Sequence, residues 1–515
     1  MEYKKITLFC LLMIGIFTST SCKDEGTGWT PDMIPDDEVE VPDYDEEVDI
    51  SNIHKFKAPL YWSVYEFCME MADNGIPEYQ MDMNAEEWDK AIDWVAENLK
   101  PYGYDMLCTD GFIPMLCEKN EYGYMDKYGS MYLKDLVAKC KAKGLKLGVY
   151  DNPLWLHGKD ETPIQNTNNI TLGQLKYDAE SDVVAHPDEP DKFFTYVVAT
   201  HKGAKEYIDG FFKHYKELGV EYIRMDFLSW YEDGFDRGME ASWGNGLVGR
   251  GYGRECYEKA LEYICISATR YGIFTSLVMP HLKNNAELER KYGNMVRIVA
   301  DTGQGGWNHF SDDSRGKVYE GWPNSMNMFE INHSLLRQFG PDNWTLYKGK
   351  HLLCFVDNHD VTRIASILTN EKHLPLIYGM LFGMPGIPCV YYGSEWGAKA
   401  KKEDGDPALR ACFEKPEWND LTTFISRLAE AKKHSDALNY GDFRSVLLTN
   451  RQCIFERKTD SERVLVAINA DDQPFMAHFD AGCGTAVDLI TGETHDFGGG
   501  SELAPYSAAY WKMER

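Results

Sequence analysis

Several things are missing from this chain, and each absence narrows its role. Beyond the first twenty residues no apolar stretch is long and uncharged enough to span a bilayer. The 13 cysteines include no CxxC pair and no Cys/His cluster, so the pattern encodes neither a structural zinc nor a dithiol centre. Eleven cysteines remain after Cys10 and Cys22, an odd number and no disulfide framework; Cys354 and Cys389 lie inside apolar strands and read as small core residues. Basic excess is absent too. Lys and Arg number 53 against 82 Asp and Glu, a net charge of −29, which argues against nucleic acid or an anionic lipid surface as partner. No glycine-rich phosphate loop is present, and no metal or other cofactor is expected.

What the N-terminus does contain is an address. Lys4 and Lys5 precede an apolar run from Ile6 to Phe17, too short for a membrane span. Ser19-Thr20-Ser21-Cys22 follows, then Lys23-Asp24-Glu25. This resembles a bacterial lipoprotein signal, which implies cleavage after residue 21, a lipid on Cys22 and a place at the outer membrane or cell surface. Residues 23–49 hold twelve Asp or Glu and one Lys. Such a segment self-repels and has too little apolar surface to fold, so residues 22–54 read as an acidic tether.

Short apolar strands alternate with helical patterns over the next part of the chain. Strands are expected near 58–64, 103–108, 145–150, 220–225, 273–278, 296–300, 352–356 and 387–392. They are rich in Val, Ile and Tyr, as parallel strands buried on both faces should be. Helices are expected at 85–98, 133–143, 204–218, 253–271, 325–337, 374–382 and 421–433. Eight such units predict an α/β fold, a (β/α)8 TIM barrel over residues 55–436. The polar segment 153–201 is too long for an idle connection and reads as an insertion after the third strand. From Tyr440 onward strands follow one another without helices, which predicts a C-terminal antiparallel β-sandwich over 437–515.

Two of the barrel strands end in a carboxylate with an arginine shortly before it. One is Val220-Glu221-Tyr222-Ile223-Arg224-Met225-Asp226, the other Val296-Arg297-Ile298-Val299-Ala300-Asp301. The C-terminal ends of barrel strands form the active face. Two carboxylates there are the minimum for glycoside hydrolysis, one attacking and one protonating the leaving oxygen. Asp226 and Asp301 are therefore the candidate catalytic pair, and a carbohydrate is the expected substrate. The abundant aromatics, 13 Trp and 31 Tyr, suit a sugar-stacking cleft.

Five ordered segments look like the α-galactosidase clan of retaining glycosidases, glycoside hydrolase family 27 above all. They are Ala58-Pro59-Leu60-Tyr61-Trp62, Gly103 to Phe112, Gly144 to Tyr150, Gly219 to Asp226, and Arg297 to Asp301. That resemblance implies Asp226 as nucleophile and Asp301 as acid/base. It also implies Trp62, Asp110, Arg224 and Arg297 as groups around the sugar, and galactose as the first substrate. The chain departs from that pattern at Thr109, Arg224 and Ser276-Leu277-Val278-Met279-Pro280.

The last third is similar instead to the α-amylase family. Phe355-Val356-Asp357-Asn358-His359-Asp360 and Gly383 to Glu395 carry the likeness, which implies His359 and Asp360 as substrate-binding groups. A strict amylase assignment needs a glutamate after the fifth strand, and Val278-Met279-Pro280 offers none. Two alternatives stand beside the galactosidase reading: an amylase-type enzyme on α-glucosides, and a non-catalytic glycan-binding lipoprotein.

Overall fold

The computed structural model describes residues 48–51, 60–64, 83–109, 118–128, 131–156, 158–175, 196–234, 251–297, 326–341, 352–411 and 416–513. The expected export signal, Cys22 and most of the tether lie outside these, as do Asp110 and Asp301.

Eight parallel strands form the expected barrel. They are β1 (Leu60–Val64), β2 (Tyr104–Thr109), β3 (Lys146–Tyr150), β4 (Tyr222–Met225), β5 (Phe274–Val278), β6 (Met295–Arg297), β7 (Leu353–Cys354) and β8 (Ile387–Tyr391). Sheet order runs β7-β8-β1-β2-β3-β4-β5-β6, and a parallel bridge from Val296 to Leu352 joins the two ends. The result is a closed (β/α)8 barrel.

Successive residues of a strand point to opposite faces, so each strand serves two cores. Met106, Cys108, Tyr222, Met295, Leu353, Phe355, Ile387 and Cys389 fill the barrel interior. The alternate residues, among them Leu107, Leu147, Val149, Ile223, Leu277 and Val390, join the larger core between strands and helices.

The surrounding helices are α1 (Ala85–Trp94), α2 (Leu133–Ala142), α3 (Ala204–Leu218), α4 (Gly253–Tyr271), α5 (Lys283–Tyr292), α6 (Met328–Phe339), α7 (His373–Gly383) and α8 (Asp420–Lys433). Local chemistry sets their ends. Asn84 accepts the N–H groups of Glu86 and Glu87, while Glu87 returns a bond to the Asn84 N–H, which fixes the start of α1. Gly219, at φ +92°, closes α3 just before β4. Helix α6 begins three residues later than expected because Asn327 takes the cap and accepts the Phe329 N–H at 3.1 Å.

The C-terminal part is antiparallel. Strands β9 (Asp442–Leu448), β10 (Gln452–Lys458), β11 (Arg463–Asn469), β12 (Phe475–Ala477), β13 (Thr485–Asp488), β14 (Thr494–Asp496), β15 (Ser501–Leu503) and β16 (Ser507–Met513) make a six-stranded sheet and a two-stranded one. They enclose Ile454, Leu465, Ala477, Ala486, Leu503 and Trp511. Strands β14 and β15 are three residues each and mostly polar, too short to show a period in the sequence. This sheet packs on α7 of the barrel, where buried Arg457 donates to the Gly383 carbonyl at 2.9 Å. Among the described residues no helix is long and apolar enough to cross a membrane.

Candidate active site

Residues 222 and 224 of β4 share the inward face, and Asp226 continues it one step past the strand. Tyr222 therefore sits in the barrel interior, with Arg224 above it and Asp226 at the mouth. Arg224 and Asp226 are both buried. An Arg224 guanidinium nitrogen lies 3.7 Å from Asp226 Oδ2. Tyr150, which ends β3 beside them, donates its hydroxyl to the same oxygen at 3.3 Å, and its ring faces the Arg224 guanidinium at 5.4 Å. The other oxygen, Oδ1, accepts the Phe227 N–H at 2.8 Å. A guanidinium, a hydroxyl and a backbone N–H thus fix the carboxylate in place, as a nucleophile requires.

The backbone at this point is unusual. Phe227 adopts φ +60°, ψ +33°, and Met279, just past β5, has φ +58°. Neither is glycine, so each left-handed residue costs about 1–2 kcal/mol. The two pack together with Val278, and Ser229 N–H donates to the Met279 carbonyl at 3.0 Å. Strained residues persist where the surroundings over-determine them, and here they border the candidate nucleophile.

Arg297 ends β6 in register with Val278, is buried, and lies over the Phe355 ring at 5.4 Å. His359 follows β7; its Nε2 is 2.9 Å from Asp360 Oδ2, and its ring meets Tyr391 of β8 at 6.1 Å. Asp360 also pairs with Arg410, whose Nε donates to the His359 carbonyl at 3.2 Å. Arg224, Asp226, Arg297, His359 and Asp360 thus all stand at the C-terminal end of one barrel.

Trp62 does not join them. It belongs to the core between strands and helices, fully buried, and its indole N–H donates to Glu395 at 2.8 Å. Its expected place against substrate fails on parity: residue 62 faces the helices. Tyr150 and Asn152 went unnoticed in the sequence. The signal was there, since both follow the inward parity of β3.

Other strand-end carboxylates are committed elsewhere. Asp151 points outward and accepts the Tyr215 hydroxyl at 2.6 Å; burial pushes it up to about 7. Glu395 accepts the indoles of Trp62 and Trp94 and the Gly393 N–H; burial pushes it up to about 7 as well. Asp357 takes the Ser394 hydroxyl at 2.7 Å and the Ile364 N–H at 2.8 Å, and burial raises it too. Glu287 and Glu289 lie in α5, bound to Arg254 and to the Tyr257 hydroxyl. No carboxylate stands at the end of β5.

Among the described residues one group has the make-up of a metal site. Glu232, Asp233 and His281 bring their ligand atoms within 4.8 Å of one another. Lys283 Nζ, however, sits 2.6 Å from Asp233 and 3.3 Å from Glu232, and Arg254 lies 3.1 Å from Glu232. The protein's own cations already balance these carboxylates, and the cluster ties the loop after β5 to the one after β4.

Known proteins resemble this chain unevenly along its length. The family model described as alpha amylase, catalytic domain, matches residues 319–448. Isomalto-dextranase of Arthrobacter globiformis is 35% identical over 283 residues, 53% of this chain and 40% of that protein. A cyclomaltodextrin glucanotransferase of Niallia circulans is 30% identical over 149 residues, 28% of this chain and 20% of its own length. The chain thus spans less than half the length of these curated relatives. Among solved structures, the isomalto-dextranase of Arthrobacter globiformis T6, complexed with panose, superposes with a TM-score of 0.58 at 22% identity, covering 92% of this chain and 75% of that one.

These findings correct the α-galactosidase resemblance. The matches that extend along the sequence lead instead to an isomalto-dextranase and to enzymes of the amylase type. Over residues 319–448 this chain is similar to the catalytic domain of the α-amylases, on a barrel of the same architecture.

Proposed function

We propose that this protein is a retaining glycoside hydrolase of α-glucans, with Asp226 as its nucleophile. The observation that carries the reading is the Asp226 carboxylate itself: buried at the end of β4, beside Arg224 and under the Tyr150 hydroxyl. Retention needs a second carboxylate as acid/base. Asp151, Asp357 and Glu395 have their oxygens engaged away from the mouth. Asp360 is paired with both His359 and Arg410, which suits a group that grips sugar hydroxyls better than one that moves a proton. Asp301, four residues beyond Arg297 in the sequence, is the acid/base of this proposal. Arg224, Arg297 and His359 hold the sugar.

The α-glucan assignment draws on the relatives named isomalto-dextranase and cyclomaltodextrin glucanotransferase. Dextran is the first substrate to offer and starch the second. The purified protein should release sugar from one of these with net retention at the new anomeric centre, followed by NMR. Asp226→Asn should abolish turnover, by a factor of 10³ or more, because no carboxylate is left to form the glycosyl-enzyme. Inertness toward both glucans, or an Asp226→Asn variant that keeps its rate, overturns the reading. Display at the cell surface through a lipid on Cys22 belongs to the same proposal; Cys22→Ala should release the protein from the membrane fraction.

A further inference from the structure

Asn152 lies two residues past β3, fully buried, and every polar atom it has is engaged. Its side-chain amide nitrogen donates to the Asp226 carbonyl at 2.8 Å. Its side-chain oxygen accepts the Leu154 N–H at 2.9 Å. The two ends of the amide are therefore assigned by their partners, because a backbone N–H only donates and a carbonyl only accepts. Asn152 is anchored in turn. Its own N–H donates to Asp151 Oδ1 at 2.7 Å, its carbonyl accepts the Trp155 N–H at 3.0 Å, and Asp151 is held by Tyr215 of α3.

The Asp226 carbonyl and the Phe227 N–H are the two ends of one peptide group. Asn152 grips the carbonyl end. The other end, the Phe227 N–H, donates to the Asp226 carboxylate at 2.8 Å. This peptide leads into the left-handed Phe227, a conformation a bulky residue avoids. Were the peptide to turn over, Phe227 would relax, and the N–H would swing away from the carboxylate.

We infer that Asn152 is a positioning residue for the nucleophile: it holds the Asp226–Phe227 peptide in its strained orientation, so that the Phe227 N–H stays on the carboxylate. The inference rests on the reading of Asp226 as nucleophile. Asn152 touches no substrate in this account and acts only through the peptide. The charged and titratable groups of the described residues that act on the Asp226 carboxylate are Arg224 on its own strand, Tyr150 from β3 and Tyr196 from the segment beyond it. None of them is altered by changing Asn152.

The test uses the full chain and four variants: Asp226→Asn, Asn152→Ala, Phe227→Gly, and the last two combined. Asn152→Ala should lower kcat on the order of 100-fold, as misplacement of a reacting group does, with KM within about threefold of wild type. Glycine adopts φ > 0 freely, so Phe227→Gly should restore about tenfold of the rate in the Asn152→Ala background while lowering it in the wild-type one. A merely structural Asn152 predicts a loss shared between kcat and KM and losses that simply multiply in the double variant; either result overturns the inference. If Asp226→Asn keeps its turnover, the nucleophile assignment fails first. The Phe227 backbone amide resonance, read by NMR, then still reports on the peptide: an unmoved resonance in Asn152→Ala overturns the contact's role as well.

Discussion

Asp226 is served by an N–H at 2.8 Å, a hydroxyl at 3.3 Å and a guanidinium at 3.7 Å, and these do unequal work. The Tyr150 bond is long, so its share lies near the low end of the range for bonds to charged groups, about 1.5 kcal/mol. Tyr150→Phe should therefore cost roughly tenfold in kcat on the chosen glucan. Arg224→Met should cost more, because it removes a whole charge beside the carboxylate. Single-turnover kinetics on both variants checks the order. A Tyr150→Phe loss confined to KM would mean the hydroxyl serves substrate rather than Asp226. Tyr150 was within reach of a sequence reading, since a tyrosine closing an apolar strand of the inward parity is visible in Lys146 to Tyr150. What the sequence could not supply was its distance to another strand's carboxylate.

At the scale of elements the strands were legible and the facing of β1 was not. A parallel strand buried on both sides need not alternate, and Leu60 to Val64 carries no pattern to say which residue looks inward. That is why Trp62 reads as a substrate group in the sequence and proves to be a wall group bound to Glu395. Glu395 itself joins three elements: β1 through Trp62, α1 through Trp94, and the turn after β8 through the Gly393 N–H. Burial raises its carboxyl from 4.5 to about 7, against the pull of these donors. The sign follows. A carboxyl that binds its proton more tightly in the folded state contributes stability that is full below about pH 4.5 and is lost as pH rises toward 7. At about 1.4 kcal/mol per unit the swing is roughly 3 kcal/mol. Asp151 titrates over the same window and adds to it. Glu395→Gln removes one of the two ionisations. Relative to wild type, its melting temperature should therefore improve steadily from pH 5 to pH 8, whatever the offset at pH 5. Thermal unfolding at four pH values would show this, and a constant difference would mean that Glu395 does not ionise in that range.

The whole molecule depends on contacts between its two parts that no local pattern announces. The barrel was readable because its repeat recurs eight times, and the C-terminal sheet because period-two strands replace helices after Tyr440. Arg457 looks in the sequence like an ordinary strand arginine, yet it is fully buried at the junction. It donates to the Gly383 carbonyl at 2.9 Å and to the Gly441 carbonyl at 3.0 Å. Gly383 is the last residue of α7, where carbonyls have no partner within the helix and the helix dipole favours a cation. An arginine of the C-terminal sheet thus caps a barrel helix. Val466 and the Tyr510 hydroxyl close on the same glycine; a Cβ there would lie 2.8 Å from one and 3.1 Å from the other. Arg457→Met keeps the length and apolar stem but leaves both carbonyls buried and unbonded, at about 1–3 kcal/mol each. Relief from burying the guanidinium offsets part of that. The net expectation is a loss of about 3 kcal/mol and a melting temperature lower by several degrees. Because the Gly383 bond spans the junction, the barrel should be weakened along with the sheet. Calorimetry should show a single transition moved down, and glucan hydrolysis should fail on heating at the same lower temperature. If the C-terminal sheet melts early in a separate transition while hydrolysis survives to the wild-type temperature, the junction does not couple the two parts.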